Sequence, residues 1–166
     1  EFEIEGISIG DSLLDHFSEE IIKNGIIKHY YKSKKFLRVE FWEFKSEKYD
    51  VISAHVKAND NKYIVYEITG AILFEDNVSE CYSKQTEIIE DLSELFKNTQ
   101  SLDSGKKLIP DDNKSSYHRF DYIFKKNDSV DITCYNWSKD SGNTSHLAVA
   151  TNSAEFNKWL TNEAYK

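Results

Sequence analysis

Methionine is absent from these 166 residues, and proline occurs once, arginine twice, cysteine twice and glycine six times. So little Pro and Gly excludes a Pro-rich linker or a collagenous segment. No apolar run exceeds about four residues, against the ~20 that a membrane-spanning helix needs. Basic residues are also short: 21 Lys and Arg stand against 29 Asp and Glu, for a net charge of −8. The basic residues are scattered, and an acidic chain without a basic face meets phosphate at an electrostatic cost, which argues against nucleic acid as a partner. The five His (His16, His29, His55, His118, His146) show neither H-x-x-x-H nor H-x-H spacing, so no metal site is expected. No Cys-x-x-Cys motif or cofactor-binding motif is present.

Aromatic residues are abundant. Ten Phe, ten Tyr and three Trp supply enough apolar area for a folded core, and the length suits one domain over residues 1–166. The opening at Glu1 without Met leads us to expect a processed or trimmed N-terminus.

Periodicity divides the chain. Residues 3–9 read as a short strand, and Gly10-Asp11-Ser12 breaks it before an amphipathic helix that Ser18 restarts and Gly25 stops. Residues 36–44, 50–58 and 63–75 alternate as strands. Residues 79–98 form the clearest helix, capped by Ser79, with Cys81, Gln85, Ile88, Leu92 and Phe96 on one face. The polar stretch 99–116 reads as a long surface loop. Strands follow around Phe120, Ile132 and residues 146–151, and Ser153 caps a last helix. The order β-α-β-β-β-α-β-β-β-α predicts an α+β fold: an antiparallel sheet of about six to seven strands with helices packed on one face. The two α-β-β-β stretches hint at a duplication, although the residues show no self-similarity beyond two Asn-Asp turns.

Three features carry chemistry. Gly10-Asp11-Ser12-Leu13 has the look of a GDSL hydrolase nucleophile block, with Ser12 as the attacking group. That family's Asp-x-x-His pair and Gly-x-Asn-Asp block are both missing, so a helix cap is the favoured reading, and no catalytic residue is assigned. The acidic pair Asp111-Asp112 lacks a calcium-loop pattern and reads as loop charge. Cys81, on the apolar face of its helix, and Cys134, on the core face of a strand, point into one layer. A bridge between them closes a loop of about 53 residues, worth about 4 kcal/mol in the chain-entropy model, and is favoured over two free core cysteines.

The third feature is a face. If helices cover the Ile-rich side, the other side carries Trp42, Phe44, Tyr63, Tyr117, Tyr135 and Trp137, with Arg38, Arg119, His55 and Lys57 among them. We take Trp42, Tyr63, Tyr117, Arg119, Tyr135 and Trp137 as the candidate binding residues. A protein, a glycan or a small molecule is the expected partner. A covering helix or loop would instead make this face a second core layer.

The segments Phe2-Glu3-Ile4-Glu5-Gly6-Ile7-Ser8-Ile9-Gly10-Asp11-Ser12-Leu13-Leu14-Asp15, Ser93-Glu94-Leu95-Phe96-Lys97-Asn98-Thr99 and Cys134-Tyr135-Asn136-Trp137-Ser138 resemble small exported proteins of AT-rich marine, Pelagibacter-type alphaproteobacteria. The resemblance spans nearly the whole chain. It implies a periplasmic or secreted protein, hence an oxidising compartment for the cysteines, and brings no catalytic residues. The resulting expectation is an exported binding domain without a cofactor. The alternatives are a Ser12 esterase and a structural envelope component.

Overall fold

The computed structural model describes residues 2–75, 77–110 and 112–166. Asp111 of the acidic pair lies outside them. The elements are α1 (Glu19–Gly25), β1 (Ile26–Ile27), β2 (Phe36–Phe41), β3 (Val51–Lys57), β4 (Val65–Glu75), α2 (Val78–Leu95), β5 (Gln100–Ile109), β6 (Asp112–Ile123), β7 (Ser129–Asn136), β8 (Ser145–Asn152) and α3 (Ala154–Asn162). The strands form one antiparallel sheet in the order β1-β2-β3-β4-β8-β7-β6-β5. The α+β class holds, with eight strands rather than six or seven.

Alternation gives each strand two faces. Val39, Phe41, Ile52, Ala54, Ile68, Val149, Leu147, Ile132, Cys134 and Val130 point to one side and make the main core with Ile22 of α1 and Cys81 and Leu92 of α2. Two links fix α2 there. Cys81 and Cys134 are bridged, with their Cα atoms 6.0 Å apart. Gln85, 2 % exposed, donates its amide to the carbonyls of His118 and Ile132 at 2.8 and 2.9 Å. A buried amide satisfied by two strand carbonyls sets the helix's axial position more narrowly than apolar packing does.

Several expectations change. Residues 2–9 form a tight turn, with Ile4 and Ile7 bridged and Glu5 and Gly6 at φ 51° and 77°. The helix after Ser12 is only a 3-10 turn, Leu13–Asp15; Ser18 starts α1, and Gly25 ends it where a Cβ would meet the Glu40 carbonyl oxygen at 2.5 Å. Asn77, not Ser79, caps α2. The expected loop at 99–116 is the β5–β6 hairpin. Its strand β5 is exposed on nearly all positions, so the sequence shows no alternation to betray it.

The helices do not share one face. Phe36 of β2 and Tyr66 of β4 point away from α2, and α3 covers them with Phe156 and Trp159. Residues 31–33 and the C-terminus close this second cluster: Lys32 and Ser33 donate backbone N–H groups to the Ala164 carbonyl, and Trp159 Nε1 donates to Ser33 Oγ at 2.9 Å. The second face therefore had its own apolar stripe, which required a cover.

The pairing also repeats about the central Thr69↔Ala150 pair. Arg38↔His55 and Glu40↔Ser53 on one half correspond to Arg119↔Thr133 and Asp121↔Asp131 on the other. Glu67↔Asn152 corresponds to Ala71↔Ala148. A two-fold axis normal to the sheet thus relates β2-β3-β4 to β6-β7-β8 in register, with α1 and α2 on the same side.

Two outcomes test the bridge. Unfolded, unreduced protein is expected to show no titratable thiol. The double variant Cys81→Ala, Cys134→Ala is expected to lose about 2–5 kcal/mol in urea unfolding; two thiols, or unchanged stability, would contradict it.

Candidate functional site

The face opposite α2 has small side chains at its centre and large polar ones around them. Ser53, Thr69, Ala71, Ala148, Ala150 and Thr133 lie on β3, β4, β8 and β7 in adjacent rows. They form a floor. Period-two alternation dictates this placement, because each has its core-facing neighbour (Ala54, Ile68, Val149, Ile132) on the other side.

On the β2 side stand Arg38, Glu40, His55 and Glu67. Arg38 Nε donates to Glu40 Oε1 at 2.8 Å, and its guanidinium lies 5.0 Å from the Tyr30 ring centre. Trp42 Nε1 takes the other Glu40 oxygen at 2.8 Å. His55, 2 % exposed, lies between Glu67 Oε2, 2.5 Å from its Nδ1, and the Tyr31 hydroxyl, 2.9 Å from its Nε2. Thr69 donates to the second Glu67 oxygen. Burial pushes the Tyr31 phenol well above its usual range, so Tyr31 stays protonated and is no nucleophile at neutral pH.

On the β6 side stand Arg119, Asp121 and Asp131. Arg119 donates through Nε and Nη2 to Asp121 Oδ1 at 2.8 and 2.6 Å, and Nη2 lies 3.4 Å from Asp131 Oδ2. Asp131 also accepts from Thr133 Oγ1 at 2.9 Å and Asn152 Nδ2 at 2.8 Å. Burial raises its carboxyl above the usual range; Asp121 adds to this, and Arg119 opposes it. For Arg119, burial works against the charge, but Asp131 and Asp121 outweigh it and hold the guanidinium firmly protonated.

Aromatic rings line one end. Tyr135 and Trp137 are nearly parallel, at 10° and 6.1 Å, and Tyr135 and His146 stack at 28° and 4.8 Å, with Tyr117 alongside at 6.2 Å. Trp137 Nε1 is buried without a hydrogen-bond partner among the described residues. Burial holds His146 below the ordinary imidazole range; the bond from its Nδ1 to the Thr144 carbonyl opposes this, and the Arg38 charge adds to it. Burial raises the Tyr135 phenol above its usual range; the Asp131 charge adds to this and Arg119 opposes it. The Tyr165 ring meets Tyr31 edge-on at 5.4 Å.

Of the six binding candidates, Tyr117, Arg119, Tyr135 and Trp137 come together here. Trp42 stands at the rim, 62 % exposed, in the turn after β2. Tyr63 does not belong. It precedes β4 with φ 49°, packs against the main core and donates to Glu19, because the turn at residues 60–63 swings it to the α1 side. Phe44 also turns to that side and stacks edge-on with Phe17. The sequence reading missed Tyr30, Ser53, Glu67, Asp131 and Tyr165. An available signal was the Arg-x-acid pair repeated on two strands, Arg38-x-Glu40 and Arg119-x-Asp121.

Ser12 caps the 3-10 turn, accepting from Leu14 N, and gives its own proton to the Lys62 carbonyl at 2.6 Å. The adjacent imidazole, His16, faces Asp11 at 3.8 Å. Among the described residues no group of three or more His, Cys, Asp or Glu could hold a metal ion, and no helix is long and apolar enough to cross a membrane.

No protein-family model matches this chain, and no curated protein or solved structure matches it either. The face must be read from its own chemistry.

Two substitutions probe it. Arg119→Met leaves Asp131 buried beside Asp121 without a cation and is expected to cost about 3–5 kcal/mol in urea unfolding; Asp131→Asn in the same chain is expected to recover much of that. No recovery would mean that the Arg stem, not the charge pair, holds the site. His146 binds protons less readily folded than unfolded, so its contribution is full above about pH 6.5 and falls as pH drops through that value. His146→Gln is expected to flatten the stability-versus-pH slope between about pH 7 and 5. An unchanged slope would refute it.

Proposed function

We propose that this chain is a binding domain that works outside the cytoplasm and takes an organic ligand on the sheet face opposite α2. One observation carries the reading: a buried donor on this face, the Trp137 indole N–H, has no acceptor among the described residues. Each oxygen of Glu40, Glu67 and Asp131 already accepts a bond. The Arg38 guanidinium, bonded to Glu40 through Nε, is a second donor on the same face. Buried or half-buried donors without acceptors are costly to leave unmatched, and an acceptor-rich ligand removes that cost. The parallel Tyr135 and Trp137 rings offer such a ligand a flat wall.

The Cys81–Cys134 bridge supports an oxidising compartment, as does the resemblance to exported proteins. The register symmetry about Thr69↔Ala150 supports an ancestral duplication of an α-β-β-β-β unit. The acidic net charge of −8 favours a small molecule, glycan or protein over nucleic acid. Against an esterase, the Ser12 proton is committed to a backbone carbonyl and no imidazole is bonded to its oxygen. Against a structural envelope component stands the unmatched Trp137 donor, which packing alone does not require.

A screen of sugars, amino acids and organic acids, followed by amide NMR, tests the reading. Shifts confined to β3, β4, β7 and β8, with at least about tenfold weaker binding in Tyr135→Ala, are expected. Shifts elsewhere would overturn it, and so would fluorophosphonate labelling that disappears in Ser12→Ala.

A further inference from the structure

The two halves of the sheet face are related by the axis at Thr69↔Ala150, and they differ in one telling way. Arg119 is flanked by two carboxylates, Asp121 on its own strand and Asp131 on the next. Its counterpart Arg38 has the first, Glu40, bonded to Nε as Asp121 is to Arg119. The position corresponding to Asp131 is Ser53, since Glu40↔Ser53 matches Asp121↔Asp131 in register. Among the described residues no second carboxylate makes contact beside Arg38. Glu67 contributes charge nearby, but its two oxygens are held by His55 and Thr69. The guanidinium is largely withdrawn from solvent, with the side chain 23 % exposed, and lies under the Tyr30 ring.

We propose that Arg38 anchors a small aromatic acid, whose carboxylate takes beside Arg38 the place that Asp131 holds beside Arg119. This rests on the reading of the face as a binding surface and names the ligand's class. A guanidinium presents two parallel N–H groups that match the two oxygens of a carboxylate, and such pairs are stronger than neutral hydrogen bonds. The protein itself shows that this sheet accommodates one Arg with two carboxylates: Arg119 holds that arrangement with Asp131 buried. Beyond the carboxylate, aromatic rings flank the same face: Tyr30 beside Arg38, and Tyr135 stacked on His146. Offset and edge-on ring contacts favour an aromatic body there.

The test uses benzoate and its neutral isostere benzamide with the whole chain, followed by tryptophan fluorescence and amide NMR. Three proteins are compared: the unmodified chain, Arg38→Gln and Ser53→Asp. Ser53→Asp supplies the missing carboxylate internally, in an arrangement the other half already adopts, so it is expected to fold with unchanged or higher stability while excluding benzoate. Expected are saturable benzoate binding below about 10 mM, binding at least about tenfold weaker for benzamide, and a loss of at least about tenfold in both variants. Circular dichroism and urea midpoints confirm that both variants are folded. Equal binding of benzamide, binding that survives Ser53→Asp in folded protein, or no saturable benzoate binding overturns the proposal. Neutral ligands that shift the same face in all three proteins, where benzoate does not, would leave the binding face standing and remove only the acid.

Discussion

An eight-stranded sheet has two faces to shield from water, and this chain has one long helix with which to do it. At about 1.5 Å per residue, the nine residues of α3 reach only about 14 Å along the second face. They cover the apolar stripe of Phe36 and Tyr66 and stop. The remainder cannot be left apolar, nor can charges be placed there unpaired. The network from Arg38 through Glu67 and from Arg119 through Asp131 answers that constraint. Almost every carboxylate oxygen in it has a donor, and each His, Thr or Asn side chain that reaches inward has a partner. The polar face exists because coverage runs out.

Much of this was legible in advance. Alternation along residues 36–42 and 51–57 assigned Arg38, His55 and Lys57 to the side away from Val39, Ala54 and Val56, and the sheet keeps that division. The pairing of Cys81 with Cys134 followed from the same period-two and helical reasoning. What failed was whatever depended on a turn. Tyr63 and Phe44 lie beyond strand ends, where alternation has no authority, and both point to the α1 side. The strand β5 was unreadable for another reason: a strand exposed on both sides has no hydrophobic period to detect. The Tyr30 and Tyr165 rings were equally hidden, since a loop and the chain's end bring them to the site and no local pattern encodes where those lead.

The near-symmetry of the sheet is informative because it is incomplete. Backbone pairing follows the axis through the six inner strands up to a bulge at His55 and Val56 that β7 and β8 lack, while the side chains on the second face do not. His55 corresponds to Thr133, Glu67 to Ala148 and Ser53 to Asp131. On the core face most corresponding positions are apolar in both halves, as with Val39 and Phe120 or Ala54 and Ile132, although Leu37 corresponds to His118. Packing constrains one side of each strand, and the other side is free to diverge in charge without disturbing the register.

The edge strand β5 has a consequence for how the molecule moves. Its partner β6 is tied to β7 over eight residue pairs, but β5 itself hangs on β6 alone, with a bulge at Ser104 and Gly105 and lysines at 106 and 107. Few of its side chains are even half-buried. Lifting it away would expose little apolar area, so this strand opens at the low end of the molecule's local unfolding free energies while the disulfide-tied centre stays shut. The bulge and the lysines then matter most in that opened state, where they keep a bare strand from finding another chain.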